Sequence, residues 1–315
     1  MIEIIRYTSE HCKEWNAFVS RSKNATFLFD RSYMDYHADR FVDHSLMVYR
    51  KGKLIALLPA NIVDTTLYSH QGLTYGGLLT DQKLTTQHAL DIFQELNHYF
   101  LLQGIHRVIY KAIPWIYHLY PAQEDLYALT EVCHAQLKTR EISSSIILNR
   151  KLKLTESRRS GIRKALANDI TCRESKELSS FWSILDNNLS SRYHTHPVHT
   201  LAEIELLQSR FPNRIKLYMA YQDEIVLGGT LVYETQQVIH TQYISASPLG
   251  KALGTLDVLL YWLINDVYTG KQWTYFDFGK STENQGHYLN QSLIFQKEGF
   301  GGRGVCYDTY EWNIQ

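Results

Sequence analysis

The chain has 315 residues, 44% of them hydrophobic and 13% aromatic, enough apolar material for one large core or two smaller ones. Its 32 Lys and Arg balance 32 Asp and Glu, which excludes a protein that coats nucleic acid and leaves only a local basic patch. Four scattered cysteines without CxxC spacing argue against a zinc site or a secreted disulfide scaffold, and neither a signal peptide nor a run of roughly 18 apolar residues is present, so a soluble, cytoplasmic protein is expected.

Residues 2–6 read as a short strand, and residues 10–20 as a helix with Trp15, Phe18 and Val19 on one face. A second helix is expected over 32–37. From Ser45 the pattern turns to β: SLMVYR, a Lys51-Gly52-Lys53 turn, then LIALLPANIV, a hairpin signal. A strand at 66–70, a glycine-rich stretch at 72–79, a helix near 86–103 and a strand at 106–112 follow. The second half repeats this order: a hairpin over 214–233, a strand at 237–245, a helix at 256–268 and a strand at 273–278. The offset stays between roughly 165 and 172 residues, as two copies of one supersecondary unit require. Each copy is a β-meander, a helix and a further strand, so the class is α/β with mixed, largely antiparallel sheets. Two domains are expected, 1–150 and 151–315.

Between the copies, Thr155 is positioned to cap a helix with Ile162 and Leu166 on one face. Arg158, Arg159, Arg163 and Lys164 form a basic stripe on it. Two readings stay open: a solvated face, or a contact for phosphate or RNA.

Three stretches carry candidate chemistry. SPLGKALGT, residues 247–255, lies between a strand and a helix, where backbone N–H groups can cradle a pyrophosphate. Gly250, Lys251, Ala252, Gly254 and Thr255 are the candidates for that contact. The first copy has no glycine in the corresponding residues 79–87, so the second copy is the expected donor site. The second stretch is the aromatic strand Tyr275-Phe276-Asp277-Phe278, which breaks at Gly279 into a polar run, Lys280-Ser281-Thr282-Glu283-Asn284, and returns through 295–302 with glycines at 299, 301 and 302. It is either a reactive cluster delivered by a strand end or a surface loop closed by a glycine-rich hairpin. The first copy lacks both the polar run and the return, which points to function in the second. The third stretch, RYHTHPVH at 192–199, offers histidines in a zinc-like spacing without a Cys or carboxylate beside them. An acceptor-binding loop using Arg192, or a plain connection, are the other readings. His240 and Tyr243, on the strand before the glycine-bearing segment, either face a substrate or sit satisfied in the core.

The meander–loop–helix–strand order resembles the GNAT acyltransferase fold. The duplication, the helix RRSGIRKA and FDFG followed by KEGFG are similar to its FemAB-like branch, which includes aminoacyl-tRNA-dependent peptidyltransferases of cell-wall synthesis. Lys297, Phe300 and Gly301 match that branch's F-K-x-x-F-G pattern, with Gln296 in place of the aromatic before the lysine. The resemblance implies tandem GNAT-like domains, the first with a degenerate donor loop. It also implies transfer of an acyl or aminoacyl group to an amine, with acyl-CoA or aminoacyl-tRNA as donor and no metal. The acceptor would be a small molecule or a cell-envelope precursor in the cleft between halves, and Arg158, Arg159, Arg163 and Lys164 a contact for tRNA. Such a reaction needs a base, an oriented donor carbonyl and a stabilised oxyanion. Lys297 is the candidate positive group and Glu283 and Asp277 the candidate acids, with Arg192, His240, Tyr243, Lys280 and Ser281 as substrate contacts. The alternative is a binding module that keeps the scaffold and has lost the chemistry.

Overall fold

The computed structural model describes residues 2–315, apart from the side chains of Arg192 and Tyr193. The chain falls into two compact units: residues up to Glu141 together with Cys306–Gln315, and Ile142–Val305. The division thus lies before residue 150, and the C-terminal segment returns to the first unit because the strand Arg303–Asn313 pairs its end with Arg107–Lys111.

The first unit opens with an antiparallel sheet in the order Ile2–Arg6, Leu46–Arg50, Lys53–Leu58, Leu79–Thr80. Its hairpin turns at Lys51 and Gly52, both with positive φ, the geometry that matches the strands' twist. Pro59 lacks the N–H a ladder needs, and the strand stops at Leu58. Asn61–Val63 then pairs with Thr66–Tyr68, which runs parallel to Arg107–Lys111 for three rungs. The helix Thr86–Leu102 is capped by Thr85 in a reciprocal capping box and buries Ile92, Phe93, Leu96 and Phe100 in this unit's core.

The second unit repeats the plan with longer strands. Its sheet runs Thr171–Ser175, Ile215–Gln222, Ile225–Glu234, Val238–Ala246, Tyr275–Lys280, then residues 143–147 of the strand Gln136–Ile147. The helix Thr255–Trp262, prolonged by the π-turn Leu263–Val267, packs with the helix Glu156–Leu166 over Ile239, Phe276 and Phe278. On the latter helix Ile162 is buried but Leu166 is exposed; Ala165 takes the inner position instead. Thr155 stands at its N-cap, yet makes no side-chain cap bond.

Candidate functional site

In the second unit, the parallel strands Val238–Ala246 and Tyr275–Lys280 pair only at Val238↔Tyr275, Ile239↔Phe276 and His240↔Asp277. Beyond that rung both strands continue but the ladder ends. Two irregularities cause the divergence. Gln242 is a bulge residue, for Leu231 faces Tyr243 while Val232 faces Thr241. Gly279 has φ +74, and the register with the strand on the other side shifts between Asp277 and Lys280. A gap between diverging parallel strands, at their C-terminal ends, is where open α/β sheets hold ligands.

Asp277 sits on the last shared rung, 0% exposed. An isolated carboxylate there would be costly, and three donors offset the cost: Ser143 Oγ at 2.6 Å, His240 Nδ1 at 2.8 Å and the Gly279 N–H at 3.3 Å. The alternation of the strand turns Phe276 and Phe278 into the core and Asp277 away from them. Donation from His240 Nδ1 puts the imidazole proton on that nitrogen and the lone pair on Nε2. Ser143 is a member of the site that sequence reading missed. It lies 134 residues from Asp277, and its only signal is a run of serines, Ser143-Ser144-Ser145, in a strand that is otherwise apolar at its end.

Lys297 does not lie in a glycine-rich hairpin. It is on the helix Gln291–Gly299, capped by Asn290, whose side chain accepts from Leu293 N at 3.0 Å. Lys297 is 4% exposed, and its ammonium donates to the carbonyls of Gly279 at 2.7 Å and Lys280 at 2.8 Å. Burial pushes its pKa down to about 8, against the pull of Asp277 in the other direction. The Gly279 peptide therefore stands between two reactive groups, Lys297 on its carbonyl and His240 beside its α-carbon.

The glycine-bearing segment 247–255 is not a loop either. Pro248–Leu253 is a short helix, N-capped by Ser247, which occupies the Gly250 N–H. The glycines answer to packing: a Cβ on Gly250 would meet Leu227 O at 2.2 Å, and one on Gly254 would meet Gly161 O at 2.5 Å. Ala252 and Lys251 are exposed. Lys251, Gly254 and Thr255 nevertheless line a cavity of about 310 Å³, together with Arg158 and, from the helix of Lys297, Gln296. Thr255 Oγ1 and Arg158 Nε are buried there without a hydrogen-bond partner.

Two carboxylates offset part of the basic stripe, and Lys164 has no acid beside it among the ion pairs of the described residues. Arg159 and Arg163 both pair with Glu156 on the same helix, and Arg158 pairs with Asp257. Glu283 lies on an exposed two-strand hairpin, Thr282–Glu283 with Tyr288–Leu289, and accepts from Asn290 Nδ2 at 2.7 Å. Lys280 is exposed, whereas Ser281 is buried with no partner for its hydroxyl. Tyr243 Oη is 2.7 Å from His199 Nδ1 and its ring meets Trp182 edge-on. The three histidines of 194–199 go separate ways: His194 caps a helix in the left-handed region, His196 pairs with Asp186, and His199 meets Tyr243. No group of residues that could hold a metal ion occurs among the described residues. Arg192's side chain lies outside the described residues.

The first unit has the same three-rung parallel pair, but residues 69–77 fill the space beyond it. Lys111 Nζ donates to the carbonyls of His70, Gln71 and Leu73, Ser69 Oγ accepts from Lys111 N, and Gly76 N donates to Lys111 O.

Among solved structures, FemX superposes with a TM-score of 0.68 at 11% identity, over 99% of this chain and 97% of that one. The fold is of the FemAB-like, GNAT type. L-PGS from Bacillus licheniformis matches at 0.64 and 13% identity over 96% and 91% of the two chains. A tandem GNAT protein from the clavulanic acid biosynthesis pathway matches at 0.54 and 11% over 100% and 99%, in keeping with two GNAT-like domains. No protein-family model and no curated protein sequence matches the chain. No helix of the described residues is long and apolar enough to cross a membrane.

Proposed function

We propose that the chain is an N-acyltransferase that moves an acyl group from a phosphate-bearing thioester donor, acyl-CoA, to a primary amine on a small molecule or cell-envelope precursor. The observation that carries this reading is the strand gap of the second unit, with the carboxylate-held His240 and the buried ammonium of Lys297 on either side of Gly279. The donor carbonyl would enter that gap, and Lys297 would supply positive charge to the developing oxyanion. The donor's phosphates would use the cavity of Arg158, Lys251 and Thr255, where two buried donor atoms await a partner. Arg159 and Arg163 share the single carboxylate of Glu156, so the stripe keeps a surplus of positive charge and aminoacyl-tRNA stays the alternative donor. The first unit, its gap filled by residues 69–77, would be the scaffold half with a degenerate donor site.

The test is to incubate the chain with acetyl-CoA, longer acyl-CoAs and charged tRNA, each with a pool of primary amines, and to read products by mass spectrometry. Amide formation from an acyl-CoA is expected. Lys251→Ala and Thr255→Ala should raise KM for the CoA donor about tenfold, the loss of roughly one charge-assisted contact. Products from charged tRNA alone would move the donor assignment, and no product from either would favour the binding-module reading.

A further inference from the structure

We infer that His240 is the residue that accepts the amine proton during transfer, with Asp277 and Ser143 as its positioning residues. This rests on the acyltransfer reading and names the base, which that reading leaves open.

Three observations converge on His240. Glu283, the carboxylate of the polar run, is exposed on the two-strand hairpin and already accepts from Asn290 Nδ2. Asp277 is within the gap but fully buried, with its oxygens engaged by Ser143, His240 and the Gly279 amide. A carboxylate so enclosed is suited to orienting an imidazole, and cannot itself reach a substrate amine. Of the two titratable groups on the last shared rung, His240 is the one that is not fully buried: Asp277 fixes its Nδ1–H, its side chain is 12% exposed, and Gly279 beside it has no side chain to cover it. The bulge at Gln242 and the positive φ of Gly279 both fall within two residues of this pair, so the backbone ladder ends where the imidazole stands. Ser143 holds the far oxygen of Asp277 from the neighbouring strand, which keeps the carboxylate from turning away.

The step balances simply. The neutral amine nitrogen attacks the acyl carbon, a C–N bond forms, and the C–S bond of the thioester breaks. The nitrogen's proton passes to His240 Nε2, and the thiolate leaves with the electron pair, to be protonated from His240 or from water. The charged groups near the imidazole are Asp277 across the rung and Lys297 beyond the Gly279 peptide. The first favours the imidazolium that forms, and the second lies on the side where the oxyanion needs charge.

The experiment uses the full chain with acetyl-CoA and whichever amine of the pool it acetylates. His240→Asn can keep a donor toward Asp277 while removing Nε2. It should lower kcat roughly 100- to 10,000-fold and change KM for acetyl-CoA little. Asp277→Asn should lower kcat while reversing the His240 tautomer, read from 15N shifts of labelled histidine; the unmodified chain should show Nδ1–H. Full turnover by the His240 variant, or an Nε2–H tautomer in the unmodified chain, overturns the inference and leaves the acyltransfer reading standing. An unmodified chain that acetylates none of the amines overturns both.

Discussion

At the scale of single residues, Gly279 is where backbone and chemistry meet. Its φ of +74 costs a side-chain-bearing residue about 1–2 kcal/mol, and a Cβ there would stand 3.3 Å from His240 Cε1. Gly279→Ala should therefore lower the melting temperature by a few degrees at most. It should reduce kcat by tenfold or more, because the imidazole must shift by a few tenths of an ångström. Calorimetry and steady-state kinetics on the same preparation separate the two effects; a variant with wild-type kcat would show that His240 tolerates displacement. Lys297 calls for a different comparison. Removing its amine strands one buried and one part-buried carbonyl, a cost of about 1–3 kcal/mol, so lost activity in Lys297→Ala alone says nothing about chemistry.

At the scale of elements, what the sequence revealed was what is local. The Lys51-Gly52 hairpin, the Thr85-capped helix and the four matched elements of each copy all rest on patterns a few residues long. Two stretches depart from expectation for one physical reason: glycine signals a loop in sequence, but here it sits in or beside a helix. In 247–255 the more telling signal was Ser247-Pro248, an N-cap followed by proline in the first turn, while Gly250 and Gly254 are set by contacts with Leu227 and Gly161 far away in sequence. In 291–299 Asn290 was the overlooked cap. Ser143 and the filled gap of the first unit were beyond reach, since each depends on which strands become neighbours. That filled gap is testable. Lys111→Met takes a donor from three carbonyls, so amides of residues 69–77 should exchange with solvent at least tenfold faster, with those of Tyr275–Lys280 unaffected. Unchanged protection would mean that Ser69 and Gly76 hold the segment without the lysine.

At the scale of the whole molecule, buried titratable groups tie stability to pH at both ends of the ordinary range. Burial lowers His118 to about 4 and His70 to about 3, from an ordinary 6.5. Above pH 6.5 both folded and unfolded chains hold these rings neutral. As pH falls below it, the unfolded chain binds protons that the folded chain refuses, so stability drops, by about 2 kcal/mol for each ring at pH 5. Asp125 works against them, because burial raises it to about 6 and the folded chain takes up its proton first. Lys297 acts on the alkaline side. With a folded value of about 8 against 10.5 unfolded, the folded chain has released a proton that the unfolded chain still carries, and stability rises between those limits. Urea unfolding at pH 5, 7.5 and 9.5 isolates each group through its variant. His118→Gln should lose about 2 kcal/mol less than the unmodified chain between pH 7.5 and 5. Lys297→Met should miss about 2 kcal/mol of the gain between 7.5 and 9.5. The lysine carries the more informative result, because the same deprotonation would remove the charge proposed for the oxyanion. Turnover should then fall through about pH 8 as the fold becomes more stable, and rising turnover across that range would show that the amine acts, if at all, without its charge.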